Sequence, residues 1–486
     1  MRTVHFQSCM VSSGHQVQNH LRLKPHFIKS ALMVCFLLFG VSGVYSQQAF
    51  SLRQCLESAV SNNHNLKKAQ YDKEKAAYAR QEILGSLLPQ ISGSASLNDN
   101  LKKAKFIMPN FMNSMLPPPA QDPNAPKYMT IEMGTNFNAN VGVSLSQQLL
   151  NFSLFNMMDI AKTAEKMAEL SMESGEEDVI YQTANLFYAI QSTEYAADGI
   201  EKSIELVRKM LATMEVNYTN GLVKKIDVDR LRVNLVNLTT QKNAVRNAAD
   251  IQKNLLKLQM GFDMESPIAI EPIRTEQLVD NTSHGDLMPF TPENLTPYRL
   301  FMERMNMVKL QKKSAVFENM PTLSLMFNYQ YSGMSDEFFR GETNYWYPTS
   351  LVGLNLRVPI FSGFSRRAKI NQNSIEISKA QEDAQILGQS LNMAYLNARM
   401  KLTDALGTIE LQADNQELAK EVFNVAEKNY ELGLSSMADI LNASQSLVQA
   451  QLSYANALND YMKACVELKK TTGSIRSLLN DNQQIK

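Results

Sequence analysis

Four stretches of this chain alternate apolar and polar residues with a period of two, and each lies beside helical sequence of unusual length. Ile91, Gly93, Ala95 and Leu97 stand against Gln90, Ser92, Ser94 and Ser96; Leu323, Leu325, Phe327, Tyr329 and Tyr331 stand against Ser324, Met326, Asn328 and Gln330. Val141, Val143, Leu145 and Leu149 share a face, as do Val352, Leu354, Leu356, Val358 and Ile360. Successive side chains of a strand point to opposite sides, so each stretch predicts a strand of roughly ten residues with one apolar and one polar face. Such strands suit a membrane barrel with lipid outside and water within, and equally a soluble sandwich.

Elsewhere the period lengthens. Ser153 to Asn220 and Ser365 to Leu432 run without a proline; at ~1.5 Å per residue an unbroken helix of that length reaches about 100 Å. Ile200, Ile204, Val207, Leu211, Met214 and Tyr218 advance by steps of four and three, and so do Ile440, Ala443, Leu447, Ala450, Tyr454, Ala457, Tyr461, Ala464 and Leu468. A seam repeating every ~3.5 residues predicts coiled-coil packing, and its alanines predict close helix approach. The corresponding earlier seam, Val228, Leu231, Leu235, Leu238, Val245 and Ala249, is interrupted by Lys242 and is expected to be weaker.

The two patterns occur twice in the same order. Val141-Gly142-Val143-Ser144-Leu145 returns as Val352-Gly353-Leu354-Asn355-Leu356, about 211 residues on, and Asn217-Tyr218-Thr219-Asn220-Gly221-Leu222 returns as Asn429-Tyr430-Glu431-Leu432-Gly433-Leu434. A duplication at fixed offset dictates architecture, here an internal two-fold repeat of strands and helical hairpin. The expected organisation is an N-terminal helix over 47–86, a first β-hairpin over 87–152, a helical hairpin over 153–260 and a proline-rich connecting segment over 261–295. A helix over 296–319, a second β-hairpin over 320–364, a second helical hairpin over 365–472 and a frayed tail over 473–486 complete it. Pro89 and Pro321 stop the helices and open the strands.

Long connections lie at one end of the strands. Phe106 to Thr130 reads as a Pro- and Met-rich loop, and Gly333 to Thr349 carries Phe338, Phe339, Tyr345, Trp346 and Tyr347. Tyr345, Trp346 and Tyr347 are candidate membrane-interface aromatics, since rings favour that boundary. Four strands do not close a barrel, and an open edge in lipid leaves backbone groups unsatisfied at several kcal/mol each, so the membrane reading requires oligomerisation. Three copies give twelve strands.

The charge balance is 48 basic against 48 acidic residues, but residues 1 to 46 hold Arg2, Arg22, Lys24 and Lys29 and no acid. The remainder is therefore slightly acidic, which gives no reason to expect a nucleic-acid partner. The same segment has a short apolar run from Ala31 to Val44 ending at small Ser46, the pattern of a signal peptide over 1–46, with Met1, Met10 or a later Met as the start. Cys55 and Cys465 remain, either as a pair in an oxidising compartment or as two unrelated small residues. HExxH, G-x-S-x-G and GxxxxGK[ST] motifs are absent from the sequence, and two cysteines with His64 and His284 make no zinc site. The reading is a non-enzyme without cofactor, catalytic centre or metal.

Taken together, the order helix, Leu88-Pro89, strand, loop, strand with Leu145-Ser146-Gln147-Gln148-Leu149-Leu150, helical hairpin, then all of it again with Val358-Pro359-Ile360-Phe361-Ser362-Gly363, resembles the outer-membrane efflux protein (TolC-like) family. The most specific match is Tyr218-x-x-Gly221-Leu222-x4-Asp227-Val228 with Tyr430-x-x-Gly433-Leu434-x4-Asp439-Ile440. The resemblance implies a membrane α+β fold: a homotrimer whose copies each give four strands to a twelve-stranded β-barrel in outer-membrane lipid and long antiparallel coiled-coil helices to a periplasmic α-barrel. It implies a passive exit duct, for efflux or type I secretion, docking on a periplasmic adaptor protein and an inner-membrane pump in a Gram-negative bacterium. By the same resemblance Gly221, Leu222, Gly433 and Leu434 mark the docking tip, and Asp227, Tyr430 and Asp439 a pore constriction. Asn442 and Ser435 stand where members often carry an acid and a base. The rival reading is a soluble periplasmic coiled-coil scaffold without a pore.

Overall fold

A computed structural model describes residues 49–273, 290–338 and 345–480; the expected signal segment, His284, Phe339 and the last six residues lie outside them. Helices α1 (Leu52–Asn62) and α2 (His64–Ser86) lead into strand β1 (Gln90–Asp99). They occupy a stretch that reads as one helix in sequence; buried Asn63 divides it, its carboxamide accepting from the amides of Asn65 and Leu66 and donating to the Gln259 carbonyl. Next come β2 (Ala104–Pro109), the short α3 (Phe111–Met115), β3 (Tyr128–Met133) and β4 (Phe137–Leu150). Helices α4 (Phe152–Thr219) and α5 (Lys225–Met260) form the first long hairpin. Helix α6 (Thr296–Phe317), β5 (Thr322–Ser335), β6 (Tyr345–Arg357), the hairpin of α7 (Ser365–Glu431) and α8 (Met437–Thr471), and the short α9 (Ser477–Asn480) follow.

The sheet is antiparallel throughout, in the order β1-β4-β5-β6. Its strands run longer than the roughly ten residues expected, except for β1, and a bulge shifts the β4–β5 register between Gln148 and Leu150. Strand β6 ends at Arg357, so Val358 and Ile360 fall beyond it and Ile360 is almost fully exposed. The stretch expected as a plain loop, Phe106 to Thr130, is instead built: β2 and β3 pair as a separate two-stranded ribbon with α3 between them. Its pairing is local, but its alternation is masked by a high density of methionine and proline.

Helix α4 lies against α2 and α6 along one part and against α5 and α8 along another; α7 packs on α6 and α8. Two apolar clusters result. One gathers Ile200, Ile204, Val207, Met214, Val228, Leu231, Leu238, Phe423, Ile440 and Leu447 from all four long helices; the other joins α1, the connecting segment and Tyr454, Tyr461 and Ala464 of α8. Nearly the whole α8 seam is buried, Leu468 being half-buried. Lys242, the interruption, is accommodated by an ion pair with Glu201 at 2.6 Å.

The connecting segment is tied in by a parallel bridge between Phe50 and Ile270 and by the Gln191 side chain donating to the Glu271 carbonyl. The tail expected to fray is held as far as α9, where Arg476 reaches Glu173 and Glu176 and Leu478 is buried. Cys55 and Cys465 are free thiols. Burial pushes the Cys55 thiol up to about 12 and raises Cys465 as well, which leaves both unreactive as nucleophiles near neutrality.

Candidate functional site

The sheet presents two chemically distinct faces. Cross-strand partners share a face, and one row reads Ile91, Leu145, Phe327, Val352, the row two residues on Gly93, Val143, Tyr329, Ser350. The intervening rows are largely polar: Ser92, Ser144, Asn328, Leu351, then Ser96, Asn140, Ser332, Tyr347. On that face the Ser92 and Ser144 hydroxyls lie 2.7 Å apart and the Gln330 amide donates to Asn140 at 2.8 Å. Among the described residues no helix covers either face, and Ile91, Val143, Val352 and Leu354 of the apolar side are exposed. Strands β1 and β6 each pair on one side only.

The same alternation separates the three aromatics at the strand end. Trp346 lies on the apolar face and stacks on Tyr331 with ring centroids 5.5 Å apart, whereas Tyr345 and Tyr347 belong to the polar rows. Three consecutive strand residues do not share one face, so the set as read from composition divides. Gly333 lies directly across from Trp346, and a Cβ there would stand 2.6 Å from the indole. Gly333→Ala is therefore expected to displace the indole from its stack, a loss of ~0.5–1.5 kcal/mol. Because Trp346 is the sole tryptophan, its fluorescence reports the change directly.

At the other end of the long helices both hairpins turn in the same way. Gly221 and Gly433 take φ of +73° and +74°, the left-handed region open to glycine. The Leu222 amide donates to the Asn217 carbonyl at 2.9 Å, and Leu434 to Asn429 at 2.7 Å, closing each helix end with a Schellman-type bond. Leu222 and Leu434 are thereby turned outward, 73% and 75% exposed. Each of the two glycine-turned tips thus carries one exposed leucine.

The return helices start differently. In α8 the Ser436 amide and hydroxyl donate to one Asp439 carboxylate oxygen at 2.8 and 2.7 Å, while the Asp439 amide donates back to the Ser436 hydroxyl at 3.3 Å. This capping box holds the Asp439 carboxyl below its ordinary range, through the side-chain bond first and the backbone bond second. The signal, a serine three residues before an acid at a helix start, was present in the sequence. Helix α5 begins at Lys224 with no side-chain cap. Ser436→Ala should cost ~0.5–2 kcal/mol, and Lys224→Ala little, as read by denaturant midpoints. The contribution of a depressed carboxylate is present above its unfolded pKa and lost as pH falls through the folded value.

Tyr430 and Asp227 are brought together across the tips. Burial raises the Tyr430 phenol and the nearby Asp227 charge raises it further. Among the described residues no hydrogen bond joins them; Asp227 instead lies 3.5 Å from Arg230. Asp439 is engaged locally with Ser436, so the three residues expected at a constriction make no single network among the described residues. Among the described residues no group of His, Cys, Asp and Glu could hold a metal, and no helix is long and apolar enough to cross a membrane.

Comparison with known proteins gives this geometry its context. The chain is 20% identical over 463 residues to the outer membrane protein TolC of Escherichia coli, covering 91% of this chain and 86% of that one. It is 21% identical to the proteases secretion protein PrtF of Dickeya chrysanthemi over 343 residues, 68% of this chain and 72% of the relative. The fold matches the outer membrane channel CmeC of Campylobacter jejuni with a TM-score of 0.65 at 18% identity, over 87% of this chain and 85% of the other. The family model described as outer membrane efflux protein matches residues 55–261 and 313–474. The chain belongs to the outer membrane efflux protein family, a family of transport channels and not of enzymes.

Proposed function

We propose that this protein is a trimeric channel-tunnel of the Gram-negative outer membrane, extending into the periplasm as the passive exit duct of a tripartite efflux or type I secretion system. The observation that carries the reading is the bare amphipathic sheet with two unpaired edges. Within lipid each unpaired edge costs several kcal/mol per backbone group, and only closure removes edges. Three copies supply twelve strands, with the Ser, Asn and Gln rows lining water and the Val, Leu and Phe rows meeting lipid.

The helices support the same assembly. Helix α7 exposes Ile386, Met393, Met400, Leu411, Leu418 and Val425, mostly seven residues apart, so a second coiled-coil seam is left uncovered by the described residues of one copy. The tips at Gly221, Leu222, Gly433 and Leu434 then face the periplasmic adaptor, with the energy supplied by an inner-membrane pump. Protease secretion, named for PrtF, keeps protein cargo beside small molecules.

Extraction tests the reading. The protein is expected to require detergent, migrate as a trimer and give discrete conductance in planar bilayers; a detergent-free soluble protein without conductance would restore the scaffold reading. In the assembled channel three Asp439 side chains surround the axis and form a cation-attracting ring with Asp227 and Tyr430 behind it. Asp439→Ala should weaken block by trivalent cations severalfold, and an unchanged block removes the ring.

A further inference from the structure

Four helices join the sheet at one end: α2 enters β1, β4 enters α4, α6 enters β5 and β6 enters α7. At the opposite end the β2–β3 ribbon rises between β1 and β4. It is a built arm. The Asn110 side chain donates to the Pro126 carbonyl at 3.1 Å, Asn113 exchanges bonds with Asp122 at 3.0 and 2.9 Å, and the Gln121 amide donates to the Leu116 carbonyl at 2.8 Å. Its root is clamped to the end of β5, where Asp336 accepts from Lys103 at 2.6 Å and from the Asn136 amide at 3.2 Å.

The arm has an apolar face that is only partly covered, with Phe106 and Met133 exposed and Met108, Met129 and Ile131 half-buried. Phe106 pairs with Ile131, Met108 with Met129 and Ala104 with Met133 on one side of the ribbon. At its far end Met112 and Met115 of α3 and the adjacent Leu116 are exposed, Met115 by 79%. A two-stranded ribbon alone is marginal in water and needs a third surface. Residues 104–133 carry two bases and two acids, Lys105, Lys127, Asp122 and Glu132. With no net charge the arm neither repels its own copies nor offers the basic cluster that anionic lipid would need.

Size favours copies of the same chain as the occupant. The arm springs from β1, the edge strand whose open side must meet the next copy. Six ribbon residues span roughly 20 Å at ~3.3 Å each. Twelve strands spaced ~4.8 Å and tilted by ~40° enclose a barrel of only about 12 Å radius. Three such arms are long enough to meet over the axis.

We propose that the three β2–β3 arms pack against one another through their methionine- and leucine-rich ends and form an apolar cover over the outer mouth of the channel. This rests on the trimeric reading and adds a second constriction at the end remote from the helical tips. Cargo leaving the channel must then part an apolar contact between copies, which favours solutes or chains with apolar surface.

Met115→Cys, with Met112→Cys as a second site, tests it on the full-length protein in detergent under mild oxidation. Cys55 is buried but Cys465 only half-buried, so both are replaced by serine in the chain that is tested. The expected result is covalent dimers between copies within the trimer at either site. Trimers that form normally yet give no cross-link at both positions would overturn the cover, as would cross-links made only to another protein, while leaving the channel reading intact. Absence of trimers in the parent chain would instead overturn the channel reading, and the cover with it.

Discussion

Replacing Phe423 by alanine is expected to destabilise the protein by ~3–5 kcal/mol, since a fully buried ring is removed from a packed core and the cavity closes only in part. The ring is 2% exposed and is the one α7 member of the buried cluster that otherwise comes from α4, α5 and α8. Its loss therefore opens a cavity in the cluster near the tips and weakens the seat of α7, which Ala419, Ala426 and Tyr430 still help to hold. Thermal unfolding of the detergent-solubilised trimer should shift well below that of the parent, and protease cleavage near Tyr430 and Gly433 should accelerate. Phe423→Leu, which retains most of the volume, should recover much of the stability. Equal behaviour of the alanine variant and the parent would mean that the hairpins are held by contacts between copies instead.

The second large effect concerns neighbouring residues of one central strand. Val143 lies in an apolar row and Ser144 in a polar one. In the proposed barrel Val143→Arg places a guanidinium against lipid, at ~2–4 kcal/mol when near the bilayer midplane, whereas Ser144→Arg faces the water-filled interior and escapes that penalty. Insertion into liposomes and the yield of detergent-stable trimer should fall sharply for Val143→Arg alone. Ser144→Arg should insert normally and shift the conductance toward anions. The reverse order would invert the barrel and refute the assignment of faces.

Much of this was open to a reader of the sequence, because the decisive signals are local and periodic. A period of two gave the four sheet strands and a spacing of four and three gave the helical seams, each visible within ten to twenty residues. Proline marked the helix-to-strand junctions, and glycine the left-handed turns at residues 221 and 433. The candidate site was legible only as positions. Tyr345 and Tyr347 read as companions of Trp346 because composition ignores parity, and the strand then set them on the other face. Asp439 read as a constriction residue only through the family resemblance, while Ser436 three residues before it encoded the cap that engages it.

By itself the sequence determined the long helices, the four strands of the sheet and the family, since each follows from short-range periodicity, helix-breaking residues and ordered motifs, but not the β2–β3 ribbon or the break at Asn63. Only the tertiary structure decided which strands are neighbours, that Phe50 bridges Ile270, that Asp336 clamps the root of a β2–β3 arm more than two hundred residues away in the chain, and that Phe423 is the α7 residue fully buried in the cluster near the tips. These are contacts between residues distant in sequence. Their free energy depends on shape and burial after the chain has returned on itself, and no local pattern carries that information.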